Sequence, residues 1–171
     1  MAVEFQDFSL KVKGALDDAV MAYLHEAGGE FVAQTQRNMP TRGTWYSQQK
    51  TEWQYEVDKG KGIVTIGNPL EASIWTEFGT GEYALNGNGR KGYWVYVKDG
   101  NSDPPRNYVY KGGKTYSLQE AKQIAAMLKA DGLDAHITRG QTPKRPFHNA
   151  FITLKPWLIK RAGELLKGRL K

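Results

Sequence analysis

The strongest constraint on the fold is a pair of long helical stripes near the two ends of the chain, each bordered by proline. In the first, Leu16, Val20, Tyr23, Leu24, Ala27, Phe31, Val32 and Thr35 recur at three- and four-residue steps. That spacing puts them on one face of a helix from about Ala15 to Asn38. Pro40 ends it, since proline has no N–H to extend the ladder. Asp17 and Asp18 are expected in its first turn and Arg37 in its last, each opposing the helix dipole. Gly28-Gly29 weakens the middle by up to about 1 kcal/mol per glycine, so the helix bends there or another segment comes close. The second stripe, Phe147, Ala150, Phe151, Leu154, Leu158, Ala162 and Leu165, opens near Pro146, with a kink or break expected at Pro156.

The segments between and before these helices are read from alternation and turn chemistry. Phe8, Leu10 and Val12 alternate with Ser9, Lys11 and Lys13, a short strand or extended lead-in that Gly14 breaks. Thr41 to Gln49 reads as a loop carrying Trp45 and Tyr46. Trp53, Tyr55 and Val57 alternate with charged and amide residues, Asp58 to Gly62 turns, and Ile63 to Ile66 returns, which makes a hairpin. Asn68-Pro69 starts a short helix, roughly Leu70 to Phe78, with Ala72, Trp75 and Phe78 on its buried face and Gly79 as its stop.

From Glu82 onward the texture changes. Asn86 to Gly92 and Asp99 to Pro105 are loops, and Tyr93–Val97 and Tyr108–Tyr110 are short strands. Ser117 and Glu120 form a capping box for a helix with the stripe Leu118, Ala121, Ile124, Ala125 and Leu128. Gly132 sits where a left-handed helix stop belongs, and Leu133 to Thr138 is a further strand. The expected fold is α+β. An antiparallel sheet is packed by the first and last helices in a core of residues 1–81 and 143–171, with a small inserted α/β lobe at 82–142.

Composition removes several function classes. The chain of 171 residues has no cysteine, so disulfides, thiolate zinc sites and cysteine nucleophiles are absent. The first seven residues carry two acids and no long apolar run, so no secretory signal is expected, and no stretch approaches the roughly 20 apolar residues of a membrane span. The net charge is +6, concentrated at the end: Lys155 to Lys171 contains six bases against Glu164 alone. Such a face suits an acidic partner or simply solvent. Five Trp and nine Tyr fit either a bulky core or a contact surface.

No set of residues reads as catalytic. His25, His136 and His148 are isolated, with no His-x-x-x-His pair, so no metal site is expected. Gly79-Thr80-Gly81 and Asn86 to Lys91 are glycine-rich, but Arg90-Lys91-Gly92 leads into a strand, not into the helix a phosphate loop requires. There is no Gly-x-Ser-x-Gly elbow. Glu71 and Glu77 are six apart, on different helix faces, and Glu77 reads as an anchor for the turn at Gly79. Neither cofactor nor enzymatic activity is expected. One patch has chemistry for single strands: Arg90, Lys91, Lys98, Arg106, Lys111 and Lys114 lie among Tyr93, Trp94, Tyr96, Tyr108, Tyr110 and Tyr116. No recognition-fold signature accompanies it, and Asp99 and Asp103 dilute it.

Two runs remain. Ile74-Trp75-Thr76-Glu77-Phe78-Gly79-Thr80-Gly81 lies mid-chain, and Arg145-Pro146-Phe147 opens the last helix. Their order, after a long first helix ending at Met39-Pro40 and a Trp/Tyr-bearing hairpin, resembles the head–tail joining or tail-completion proteins of long-tailed bacteriophages, also labelled minor tail or minor capsid components. The resemblance covers about residues 10 to 81 and 143 to 168. The chain departs from that family's pattern in two places. Thr41-Arg42-Gly43-Thr44 stands where the family usually carries Asp-Thr-Gly, and residues 82–142 intervene where the family often has a short loop.

The resemblance implies a structural protein of a phage or prophage virion, made in the bacterial host cytoplasm and seated at the tail–head junction. It implies a hexameric ring on the tail tube that presents a surface to the head connector, with no membrane and no nucleic acid as partner. Under it, Trp75, Glu77, Phe78, Gly79, Thr80, Gly81, Arg145, Pro146 and Phe147 are scaffold. Phe78 and Phe147 are expected to hold the short helix against the last one. The loops at 41–50 and 82–92, with Trp45, Tyr46, Arg90 and Lys91, are the expected subunit contacts.

Overall fold

The computed structural model describes residues 9–42, 44–98 and 114–169. Along the chain run α1 (Ser9–Asn38), α2 (Thr44–Thr51), β1 (Gln54–Asp58), β2 (Ile63–Gly67), α3 (Glu71–Phe78), a 3₁₀ turn (Gly81–Tyr83), β3 (Trp94–Lys98), α4 (Leu118–Ala130), β4 (Asp134–Thr138) and α5 (Pro146–Arg169). The protein is α+β, with two antiparallel two-stranded sheets, β1–β2 and β3–β4. None of the described helices is long and apolar enough to cross a membrane.

Contacts divide the chain into two compact units. One comprises Met1–Asn38, Trp53–Asn68 and Phe147–Lys171, the other Met39–Glu52 and Pro69–Pro146. The division differs from the expected one at 82 and 142. Residues 39–52 and 69–81 go with the middle of the chain, because their hydrogen bonds run to residues 139–145.

The first unit packs α1 on both strands of the β1–β2 hairpin, with α5 against α1. Tyr55 pairs with Ile66 and Val57 with Val64, and this alternation gives the hairpin an inner and an outer face. Phe31, Ala150 and Leu154 form the core, joined by Ile66, Phe147, Trp157 and Leu158. The Phe147 ring lies 4.8 Å from Phe31 and stacks at 5.5 Å on Trp53. Tyr23 donates its hydroxyl hydrogen to the Leu158 carbonyl at 3.0 Å, and Arg161 reaches Glu26 at 2.9 Å.

Gly28 answers the question its position raised. A Cβ there would lie 2.5 Å from the Tyr55 ring, so the glycine lets the hairpin's aromatic lie against the helix. Pro156 lies inside α5 without ending it.

The second unit has a smaller-grained core. Val95, Ala121, Ala125 and Ala135 are each at most 5 % exposed, with Tyr93, Val97, Tyr116, Ile124, Leu128 and Ile137 around them. The alanines let α4 come close to the β3–β4 sheet. The capping box forms as read: Ser117 Oγ accepts from the Glu120 N–H, and the Glu120 carboxylate accepts from the Ser117 N–H at 2.8 Å. Gly132 has φ 80° just past the helix. The β4 strand pairs with β3 from Trp94↔Thr138 to Lys98↔Asp134.

Several local expectations are overturned. Residues 9–13 are helical, not extended, and Gly14 lies within α1. Six alternating residues fit either pattern, and each residue added to an existing helix gains one more hydrogen bond. Asp17 and Asp18 consequently fall beyond the first turn. The expected loop at 41–49 contains α2. Phe8 and the expected strand Tyr108–Tyr110, with the loop before it, lie outside the described residues.

Candidate functional site: the seam between the two motifs

The middle motif ends in a sharp reversal. The α3 helix stops at Gly79, whose φ of 72° few side-chain-bearing residues adopt, and the Gly79 N–H donates to the Trp75 carbonyl at 2.8 Å. The turn thus closes on the helix's own carbonyl, and Glu77 is buried at 9 % exposure. Leu85 N–H then donates to the Phe78 carbonyl at 2.9 Å, pinning the far side of the loop.

The reversal runs the chain beside residues 139–141. Thr80 N–H donates to the Gln141 carbonyl at 2.9 Å, and Gln141 N–H returns the bond to Thr80 Oγ1 at 2.9 Å. Glu82 N–H donates to the Arg139 carbonyl at 2.9 Å. One step further, Lys144 N–H donates to the Thr76 carbonyl at 2.8 Å and Arg145 N–H to the same oxygen at 3.4 Å. The two sequence motifs therefore meet backbone to backbone. Thr76, 1 % exposed, also donates its hydroxyl hydrogen to Gln49 Oε1 at 2.7 Å, which ties α2 to the seam.

The glycines of the seam are steric requirements. A Cβ on Gly79 would lie 2.8 Å from the Gln141 carbonyl oxygen and from Pro143 Cδ. A Cβ on Gly81 (φ 61°) would overlap the Arg139 carbonyl, and one on Gly140 (φ 129°) would overlap the Thr80 carbonyl. These walls are backbone and cannot swing aside as a side chain does. Arg145 has φ 55° and is the one non-glycine with positive φ among the described residues. That conformation costs roughly 1–2 kcal/mol for a residue with a Cβ, and the surrounding hydrogen bonds hold it.

This geometry corrects the reading of α3. Ala72, Trp75 and Phe78 were expected to be buried. Instead Ser73, Thr76 and Glu77 are, while Phe78 is 44 % exposed and Trp75 is half-buried. On the inward side of α3 the Thr76 hydroxyl donates to the Gln49 side chain and the Thr76 carbonyl accepts from Lys144 and Arg145 N–H, so polar groups anchor the helix there. Phe147 fills the core of the first unit, beside Phe31 and Trp53. Pro146 is buried at the first position of α5.

Of the expected subunit contacts, Tyr46 is half-buried, and its hydroxyl accepts from Gln141 Nε2 at 3.3 Å; burial pushes its hydroxyl pKa up. Trp45 lies within α2. Arg90 covers the Trp94 ring at 5.1 Å, and Lys91 is exposed. Gln49, Arg139 and Gln141 escaped sequence reading. No periodicity marks a residue recruited by one long-range hydrogen bond, although Gly140 beside Arg139 and Gln141 signals a turn.

The surface beside the seam is polar and aromatic. Arg139 donates to the Tyr83 hydroxyl at 2.5 Å, lies over that ring at 5.2 Å and approaches Glu82 at 3.5 Å. On the side of the β3–β4 sheet away from α4, His136 stacks on Tyr96 at 5.4 Å and contacts Asp134 at 2.8 Å, and this close contact with His136 holds the Asp134 carboxyl below its usual range. Among the described residues, no group of three or more His, Asp or Glu could hold a metal ion. The chain matches no family model, no curated protein and no solved structure.

Proposed function

We propose that this protein is a structural component of a phage or prophage virion that completes the tail and joins it to the head as a ring-forming neck component. One observation carries the reading. The residues that give the chain its likeness to tail-completion proteins, Thr76 to Gly81 and Lys144-Arg145, are bonded to one another through their backbones. Their chemistry is spent on holding a scaffold. Carbonyls, N–H groups and glycines dominate the seam, which suits a part that must keep its shape in an assembly.

The test is a lysate from a phage or prophage lacking this gene. Tails and filled heads should accumulate unjoined, and supplying the gene in trans should restore joined particles. Joined, infectious particles without the gene overturn the reading.

A second reading, a basic module for single-stranded nucleic acid, has its own support in Trp94, Tyr96 and Lys98 sharing one face of β3, with Arg90 above Trp94. Against it, the guanidiniums of Arg90 and Arg139 already cover rings, and Glu82 and Asp134 lie among the bases. Oligonucleotide binding that is present at physiological salt and falls steeply as salt rises would select this reading.

A further inference from the structure

Two outward helix faces of the first unit are complementary. On α5, the side away from Ala150 and Leu154 carries Ile152, Ile159 and Leu166, which are 57 %, 66 % and 43 % exposed. They are spaced by seven residues and so lie along one line of the helix. Pro156 and Gly163 fall between them on that line, leaving low ground beside each ridge. A Cβ at Gly163 would meet nothing within 4 Å. The chain's own fold therefore gives no reason for a glycine there, although it costs a helix about 1 kcal/mol. Lys155, Lys160 and Lys167 flank the stripe and are exposed.

On α1, the side away from Ala27 and Phe31 is the reverse in character. Gly14, Asp18, Ala22, His25 and Gly29 follow one another at steps of four, four, three and four residues. Three of the five have little or no side chain, and a Cβ at Gly14 or Gly29 would meet nothing within 4 Å. The line forms a shallow trough, with Asp17 and Asp18 exposed at one end. The stripe extends over about 21 Å of helix and the trough over about 22 Å at 1.5 Å per residue.

We infer that the Ile152–Ile159–Leu166 stripe of one copy docks in the Gly14–Ala22–Gly29 trough of the next. Ridges meet a groove of similar length, and the lysines beside the stripe meet the acidic end of the trough. Two α5 stripes facing each other would instead bring lysines together. Because stripe and trough are different surfaces, the contact is head-to-tail, the kind that closes into a ring when the rotation allows. The inference deepens the ring reading above and rests on it for the ring's biological place, but the contact is testable by itself.

The test uses the purified full-length protein in sedimentation equilibrium over a wide concentration range. The wild-type chain should self-associate. Ile159→Glu, which spoils the stripe, and Ala22→Arg, which fills and recharges the trough, should each weaken association at least tenfold. Both positions are exposed, so circular dichroism and the urea midpoint should stay at wild-type values. An equimolar mixture of the two variants should form a one-to-one dimer, because one intact stripe still meets one intact trough. A wild-type chain that stays monomeric throughout overturns the inference, as do variants that associate as wild type or a mixture that stays monomeric. Variants that associate normally while particle joining still requires the gene would sink this contact and leave the ring reading standing.

Discussion

The two units keep their elements together in opposite ways. In the first, large rings fill the space between helices and hairpin: Phe147 lies 4.8 Å from Phe31 and stacks at 5.5 Å on Trp53. In the second, alanines and glycines remove side chains so that elements can approach closely, at Ala121 and Ala125 of α4 against Ala135 of β4 and at Gly79, Gly81 and Gly140 in the seam. The first arrangement depends on what is present and the second on what is missing. An aromatic core loses stability when atoms are deleted; a glycine seam loses it when a single methyl is added.

The largest effect is expected where a ring is removed. Phe31→Ala should cost about 3–5 kcal/mol, the usual range for emptying a buried aromatic site, read as a lowered urea midpoint. A loss below about 1 kcal/mol would mean that the helices collapse onto the gap, and would break the contrast with the seam.

Next comes the methyl that should not fit. Gly140→Ala combines a positive φ with overlap against the Thr80 carbonyl. It should cost about 3 kcal/mol from strain and overpacking together. Gly28→Ala is the matched case in the first unit, where the obstacle is the near edge of the Tyr55 ring, a side chain that must shift rather than a backbone wall. It should cost about 1–2 kcal/mol. If Gly28→Ala proves the more harmful, backbone walls are not what distinguishes the seam.

A smaller effect tests the local reading of α4. Ser117→Ala should cost about 1 kcal/mol at neutral pH by removing the cap. Glu120 has its pKa lowered by the hydrogen bonds from Ser117, side chain first. A lowered carboxylate pKa stabilises the fold above the ordinary carboxylate range and loses that contribution as pH falls through the folded value. The difference between wild type and Ser117→Ala should therefore shrink in acid. A difference that is unchanged or larger in acid contradicts the capping box.

The smallest effect concerns Arg145. Arg145→Gly relieves a left-handed conformation but frees the unfolded chain, so the net gain should be at most about 1 kcal/mol. If the variant is as stable as wild type or more so yet fails in particle joining, the Arg145 side chain serves the assembly rather than the fold.

How much of this was readable in the chain depends on the range of each interaction. The α4 capping box, the hairpin turn at Asp58 to Gly62, the stop at Gly79 and the end of α1 at Asn38 all follow from residues within a few positions of one another. Backbone sterics and local hydrogen bonds decide them. The meeting of Thr76 with Lys144 and Arg145 does not follow, because a carbonyl accepting from a segment far along the chain leaves no periodic trace. The same long-range bonds explain α2, whose eight residues are too few for a stable isolated helix, held through Gln49 to Thr76 and Tyr46 to Gln141.

The inversion of α3 makes the division plain. By itself the sequence determined that a short helix runs from about Leu70 to Phe78 and stops at Gly79. Hydrophobicity then favoured burying Trp75 and Phe78. Only the tertiary structure decided that Ser73, Thr76 and Glu77 face inward, where the Thr76 hydroxyl finds the Gln49 side chain and the Thr76 carbonyl finds the N–H groups of Lys144 and Arg145. Both partners come from segments distant in the chain, and a polar group buried without such a partner costs about 1–3 kcal/mol.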